Sequence, residues 1–69
     1  MTAPRRVTII TPVYNEQDSL PAYVEAVRGT LLSRSDVEYE VLLVDDGSQD
    51  LSWAMIERVC AEDARFRGI

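Results

Sequence analysis

The sequence predicts an α/β domain built on a parallel βαβαβ series whose sheet is incomplete. Two apolar runs, residues 7–13 and 39–44, lack the polar alternation of a half-exposed strand, as expected of strands covered on both faces. A turn and a stretch of helical periodicity follow each run. A third run begins at Phe66, close to the end of the 69 residues.

The first strand, residues 7–13, is β-branched apart from Pro12, which is expected to end its ladder pairing. A helix is predicted over residues 19–33: Asp18 or Ser19 can cap it, and Pro21 fits its first turn. Leu20, Tyr23, Val24, Val27 and Leu31 would form its inward face. The polar stretch 33–40 turns the chain into a second strand, 39–45, bounded by Asp45, Asp46 and Gly47. Asp50 or Ser48 can cap a second helix over 50–61, with Leu51, Met55, Ile56 and Val59 inward, and the third strand would run over 66–69. Such a series implies right-handed crossovers and a parallel sheet with helices on one face, leaving the other face and at least one edge bare. Since parallel sheets are normally covered on both faces, the chain is expected to be the amino-terminal part of a longer domain.

Composition narrows the function. Twelve acidic residues against seven basic give a net charge of −5, and the basic residues are scattered arginines, which disfavours nucleic-acid binding by phosphate neutralisation. There is no histidine and no G-x-S-x-G turn, so neither triad hydrolysis nor histidine acid–base chemistry is expected. The single Cys60 reads as a small core or boundary residue and Trp53 as packing. Without an internal disulfide, a secretory signal or an apolar run near the ~20 residues of a membrane span, a cytoplasmic location is expected. A chain of this length buries only about 60% of its unfolded surface, so a partner surface would add stability.

Two strings carry the chemistry: ITPVYNE at 10–16 and LLVDDGSQD at 42–50. Each runs off the carboxyl end of a strand, the edge at which open parallel sheets bind ligands. Tyr14 and Glu16 stand just past the first strand end, where the ring can either stack on a base or pack under a loop. Asp45 ends the second strand, where its carboxylate can accept a hydrogen bond from a base N–H or a ribose hydroxyl. Asp46, Ser48 and Asp50 can satisfy free N–H groups at the second helix start, while adjacent carboxylates also suit Mg²⁺ or Mn²⁺. Neither a G-x-G-x-x-G nor a G-x-x-x-x-G-K-[ST] loop is present, which disfavours a Rossmann dinucleotide site and a P-loop.

VTIITPVYNEQDSLP followed by EYEVLLVDDGSQDLSW resembles the amino-terminal part of the family 2 inverting glycosyltransferases of GT-A fold, a Rossmann-like nucleotide-diphospho-sugar transferase architecture. The branch it looks most similar to is the dolichyl- or polyprenyl-phosphate sugar synthases. The resemblance implies a nucleotide-sugar site at Pro12, Val13, Tyr14, Glu16, Leu43, Asp45 and Asp46, with Val44 an alternative to Leu43. It places the Tyr14 ring against the base, Glu16 near base or ribose, Asp45 on the uracil or guanine, and Asp46 in support. It further implies a divalent cation, Mg²⁺ or Mn²⁺, held by a D-x-D motif outside these residues, and a catalytic base further still.

The resemblance thus implies sugar transfer from a UDP- or GDP-linked donor to an acceptor such as a polyprenyl or dolichyl phosphate, in the cytoplasm or at the cytoplasmic face of a membrane. These 69 residues would supply the base and ribose half of the donor site and would be inactive alone. A rival is a nucleotide-binding or self-assembling module that completes its sheet as a homo-oligomer through an unpaired edge. A receiver-like signalling domain also ends a strand in an acidic pair, but ITPVYNE has no place in it.

Overall fold

The computed structural model describes residues 5–32, 34 and 36–69. Its elements follow the expected order: β1 (Arg5–Val13), α1 (Leu20–Leu32), β2 (Val37–Asp45), α2 (Ser52–Glu62) and β3 (Phe66–Gly68). The predicted end of the first helix at Ser33 lies outside the described residues. The strands form one parallel sheet in the order β1-β2-β3, with Val7 opposite Tyr39, Val13 opposite Asp45 and Val41 opposite Phe66. Both crossovers step the same way across the sheet, so right-handed connections put both helices on one face.

That face holds the core. Side chains alternate along a strand, and the odd-numbered positions Val13, Val41 and Leu43 are buried together with Phe66, Leu20, Val24 and Ile56. Each fully buried side chain of this size contributes roughly 1.5–3 kcal/mol relative to exposure. The even-numbered face carries no described element: Ile10 is 66% exposed, as is Ile69, and Leu42 and Val44 are half-buried. This is the bare face the crossover pattern predicts.

Both long strands begin two residues before the apolar runs, because Arg5 pairs with Val37 and Arg6 with Glu38. The ladder is a main-chain property and tolerates charged side chains at its solvated end, where Arg6 and Glu38 meet at 3.5 Å. Before β3, Asp63 follows the last residue of α2 and ties that helix to α1. Its carboxylate accepts hydrogen bonds from the Arg65 guanidinium at 2.7 and 2.9 Å, and from Arg28 Nε of α1 at 3.3 Å. The Arg28 guanidinium lies 5.5 Å from the centre of the Phe66 ring, and that of Arg65 4.8 Å from the Tyr39 ring.

Three expectations are corrected. Pro12 does not end the ladder: it lies opposite Val44, and pairing continues through Val13, whose carbonyl accepts the Asp46 N–H at 2.8 Å. Backbone groups alternate in direction along a strand, so the Pro12 nitrogen points away from β2 at the free edge, where a missing donor costs nothing. Leu51 is not on the inward face of α2; it is the N-cap, 63% exposed, and Ser52 takes the buried position one turn before Ile56. Finally, the Ser19 hydroxyl does not cap α1: it donates to the Glu16 carboxylate at 2.7 Å, while the Ser19 carbonyl accepts the Tyr23 N–H.

Candidate functional site

The carboxyl ends of β1 and β2 lie side by side, so the loops that leave them, 14–19 and 46–51, meet over the sheet edge. Five hydrogen bonds cross between the loops or onto the first residue of α2. Asn15 N donates to Ser48 Oγ at 2.9 Å, Glu16 N to Ser52 Oγ at 2.8 Å, and Gln17 N to Asp50 Oδ2 at 3.2 Å. In return, Gln49 N donates to Asn15 Oδ1 at 2.8 Å and Leu51 N to Gln17 Oε1 at 3.0 Å. Three consecutive N–H groups of the first loop therefore bond side chains of the second segment.

Two backbone positions make this possible. Asn15 has φ +50°, a left-handed conformation that asparagine tolerates better than most residues, and from it both its N–H and its side-chain oxygen reach the second loop. Gly47, at φ +76°, turns the chain sharply after the acidic pair.

Asp50 is therefore not an ordinary helix cap. Its carboxylate accepts from Ser52 N at 2.8 Å as well as from Gln17 N. Its carboxyl is held below the ordinary aspartate value chiefly by the Ser52 side-chain hydroxyl, with the backbone N–H groups of Ser52 and Gln17 adding to this. Ser48, expected at the helix start, serves Asn15 instead. The N–H groups of Gln49, Leu51 and Ser52 are all occupied, so those three are not free to cradle an anion.

Around this knot stand the residues singled out from the sequence. Tyr14 is 56% exposed, and Pro12, Glu16 and Asp46 are exposed too. Asp45 differs: its N–H bonds the Ile69 carbonyl, and one carboxylate oxygen, Oδ1, is buried with no hydrogen-bond partner among the described residues. An unpaired buried acceptor carries a desolvation penalty of about 1–3 kcal/mol, more when charged, until a donor reaches it. Asp45 and Asp46 do not converge on one point. The Asp45 N–H bonds toward β3 and the Asp46 N–H toward β1, so the strand alternation continues through both and their side chains diverge. Val13 and Leu43 are at most 1% exposed and face the helices, so they shape the site from beneath, while Val44 lies on the bare face.

Among the described residues no three metal-ligating side chains gather. The Cys60 thiol is half-buried, and burial raises its pKa, which keeps it protonated and unreactive. A cleft of about 620 Å³ opens at the other end of the sheet, lined by Arg6, Leu31, Tyr39 and Arg65 among others. It lies a full strand length from Asp45 and brings together none of the predicted site residues.

Residues 8–69, which include both the P-V-Y-N-E and the V-D-D-G-S turns, match the family model of Glycosyl transferase family 2. The chain belongs to glycosyl transferase family 2. Over 59 residues it is 49% identical to the undecaprenyl-phosphate 4-deoxy-4-formamido-L-arabinose transferase of Pseudomonas fluorescens (strain SBW25), covering 83% of this chain and 16% of that protein. A protein of the same name from Sodalis glossinidius (strain morsitans) is 49% identical over 61 residues, covering 81% of this chain and 18% of the relative. The chain thus spans less than a fifth of the length of these curated relatives. Its parallel βαβαβ unit is the start of a GT-A domain.

For a family 2 glycosyltransferase segment, the residues whose roles no sequence motif marks are Asn15, Gln17 and Ser52. A signal for them existed. Short polar side chains after two neighbouring parallel strands must lie near each other, and such side chains favour backbone partners.

Proposed function

We propose that these residues form the base and ribose half of the donor site of a glycosyltransferase that moves a sugar from a nucleotide diphosphate to a polyprenyl phosphate. One observation carries the reading: the buried, unpartnered Oδ1 of Asp45 at the sheet's carboxyl edge, where a ligand N–H or hydroxyl would complete it. The exposed Tyr14 ring, one residue past β1, supplies a face on which a base can stack. Family membership and the names of the relatives support sugar transfer to undecaprenyl phosphate as the reaction class.

Displacement at the sugar carbon also needs a base on the acceptor and charge neutralisation at the departing diphosphate. A divalent cation would supply the latter, with ligands outside these residues, since the two strand-end aspartates diverge and no third ligand joins them among the described residues. The segment's own work is binding: it fixes the nucleoside so that the sugar carbon faces the acceptor. Transfer would take place at the cytoplasmic face of a membrane, where a lipid phosphate and a soluble donor meet.

Titrating UDP and GDP into the full-length protein and its Asp45→Ala variant tests the reading. Loss of a hydrogen bond to a charged acceptor is expected to weaken one of the two nucleotides by roughly 10- to 100-fold. Equal affinity of both proteins for both nucleotides refutes it.

A further inference from the structure

We propose that Ser52, with Ser48 beside it, is a positioning residue that fixes the first loop of the donor site through the backbone of residues 15 and 16. The inference rests on the nucleotide reading of that site and adds residues that touch no ligand.

Ser52 is wholly buried, on the inward face of α2 and one turn before the wholly buried Ile56. A hydroxyl wholly buried one turn before Ile56 is unfavourable unless it is bonded. Its oxygen accepts the Glu16 N–H, 36 residues away, at 2.8 Å, while the hydroxyl also serves the Asp50 carboxylate. Glu16 lies between β1 and α1, so neither a strand ladder nor a helix supplies that N–H with an acceptor. Ser52 is thus the acceptor that sets how closely the first loop lies on α2. Ser48 does the same for the adjacent Asn15 N–H at a more exposed point.

The geometry passes directly to the candidate ligand groups. Tyr14 precedes Asn15, and the Glu16 carboxylate belongs to the residue whose N–H Ser52 holds. The loop also cannot relax toward water at this point, because Ser52 has no exposed surface. Without the Ser52 oxygen, the Glu16 N–H must find water by lifting the loop away from α2, which tilts the Tyr14 ring relative to Asp45.

The test uses the full-length protein, with UDP and GDP as probes in calorimetric titrations of wild type, Ser52→Ala and Ser52→Thr. The nucleotide that wild type binds is expected to bind about tenfold more weakly to Ser52→Ala, and the hydroxyl of Ser52→Thr is expected to restore binding to within about threefold. Ser52→Ala binding as tightly as wild type overturns the proposal. So does equal weakening by Ala and Thr, because side-chain volume rather than the oxygen would then matter. If Ser52→Ala does not fold, Ser48→Ala decides: weakened binding supports the proposal and unchanged binding overturns it. A wild type that binds neither UDP nor GDP is a separate result, which removes the donor-site reading and this inference with it.

Discussion

Replacing Asp63 with asparagine should reveal how much of the fold hangs on one carboxylate. The Asp63 side chain is only 11% exposed, and it faces Arg65 at 2.7 Å and Arg28 at 3.3 Å, whose side chains are 36% and 23% exposed. Hydrogen bonds from Arg65 hold its carboxyl well below the ordinary aspartate range, with the Arg65 backbone N–H and the charges of Arg65 and Arg28 adding to the shift. Exposed ion pairs contribute about 0–1 kcal/mol, and breaking a buried one costs about 3–5 kcal/mol. With partners open to solvent on one side, Asp63→Asn is expected to cost about 2 kcal/mol near pH 7. Since the native carboxyl titrates below its unfolded value, the contribution is complete above the ordinary aspartate value of 3.8 and disappears as pH falls through the native one. Urea unfolding of wild type and variant from pH 7 down to pH 2 measures it, the difference in midpoint being about 1 M at neutral pH and shrinking below pH 4. A difference under about 0.5 kcal/mol, or one that is the same at pH 2 and pH 7, would refute the account of this latch.

Other outcomes follow from single positions. A Cβ at Gly68 would overlap Ile56 Cγ2, which is wholly buried, so Gly68→Ala is expected to destabilise by about 1–3 kcal/mol in thermal unfolding, and an unchanged melting midpoint would contradict the packing of β3 on α2. Asn15→Ala loses the bond to Gln49 and disfavours the left-handed backbone; it is expected to cost about 1–3 kcal/mol and to raise amide exchange at Gln49, which hydrogen-exchange mass spectrometry can follow. Ile10→Asp should be nearly neutral in the 69-residue chain, where Ile10 is 66% exposed, yet destabilising by at least about 2 kcal/mol in the full-length protein if further chain covers that face. Equal small effects in both would leave the face open to a second copy, and size-exclusion chromatography across concentrations would then show association.

The order of elements could be read from the sequence because the two apolar runs and the helical spacing of Leu20, Val24, Met55 and Ile56 express local physics. The strand starts at Arg5 and Val37 could not, since main-chain pairing there carries charged side chains that no hydrophobic pattern marks. Leu51 misled for a related reason: its apolar character fits the inward stripe, but the helix begins one residue later and gives the buried place to a serine. Asp45 stands out in the sequence because a strand-end carboxylate is conspicuous in any βαβ reading. Ser52 and Gln17 do not, because each acts on the backbone of a residue more than thirty positions away. Such pairings exist only once the register of β1 against β2 is set.

Pro12 also limits how the sheet can grow. Along the free side of β1, the outward-pointing donors belong to even-numbered residues, and the last of these positions before the Tyr14 turn has none. A strand added alongside β1 could still bond the Ile10 N–H and the Pro12 carbonyl but would find no donor at Pro12. Sheet extension on that side is therefore one hydrogen bond short next to the loop that carries Tyr14, which ties the weakest rung of the free edge to the start of that loop.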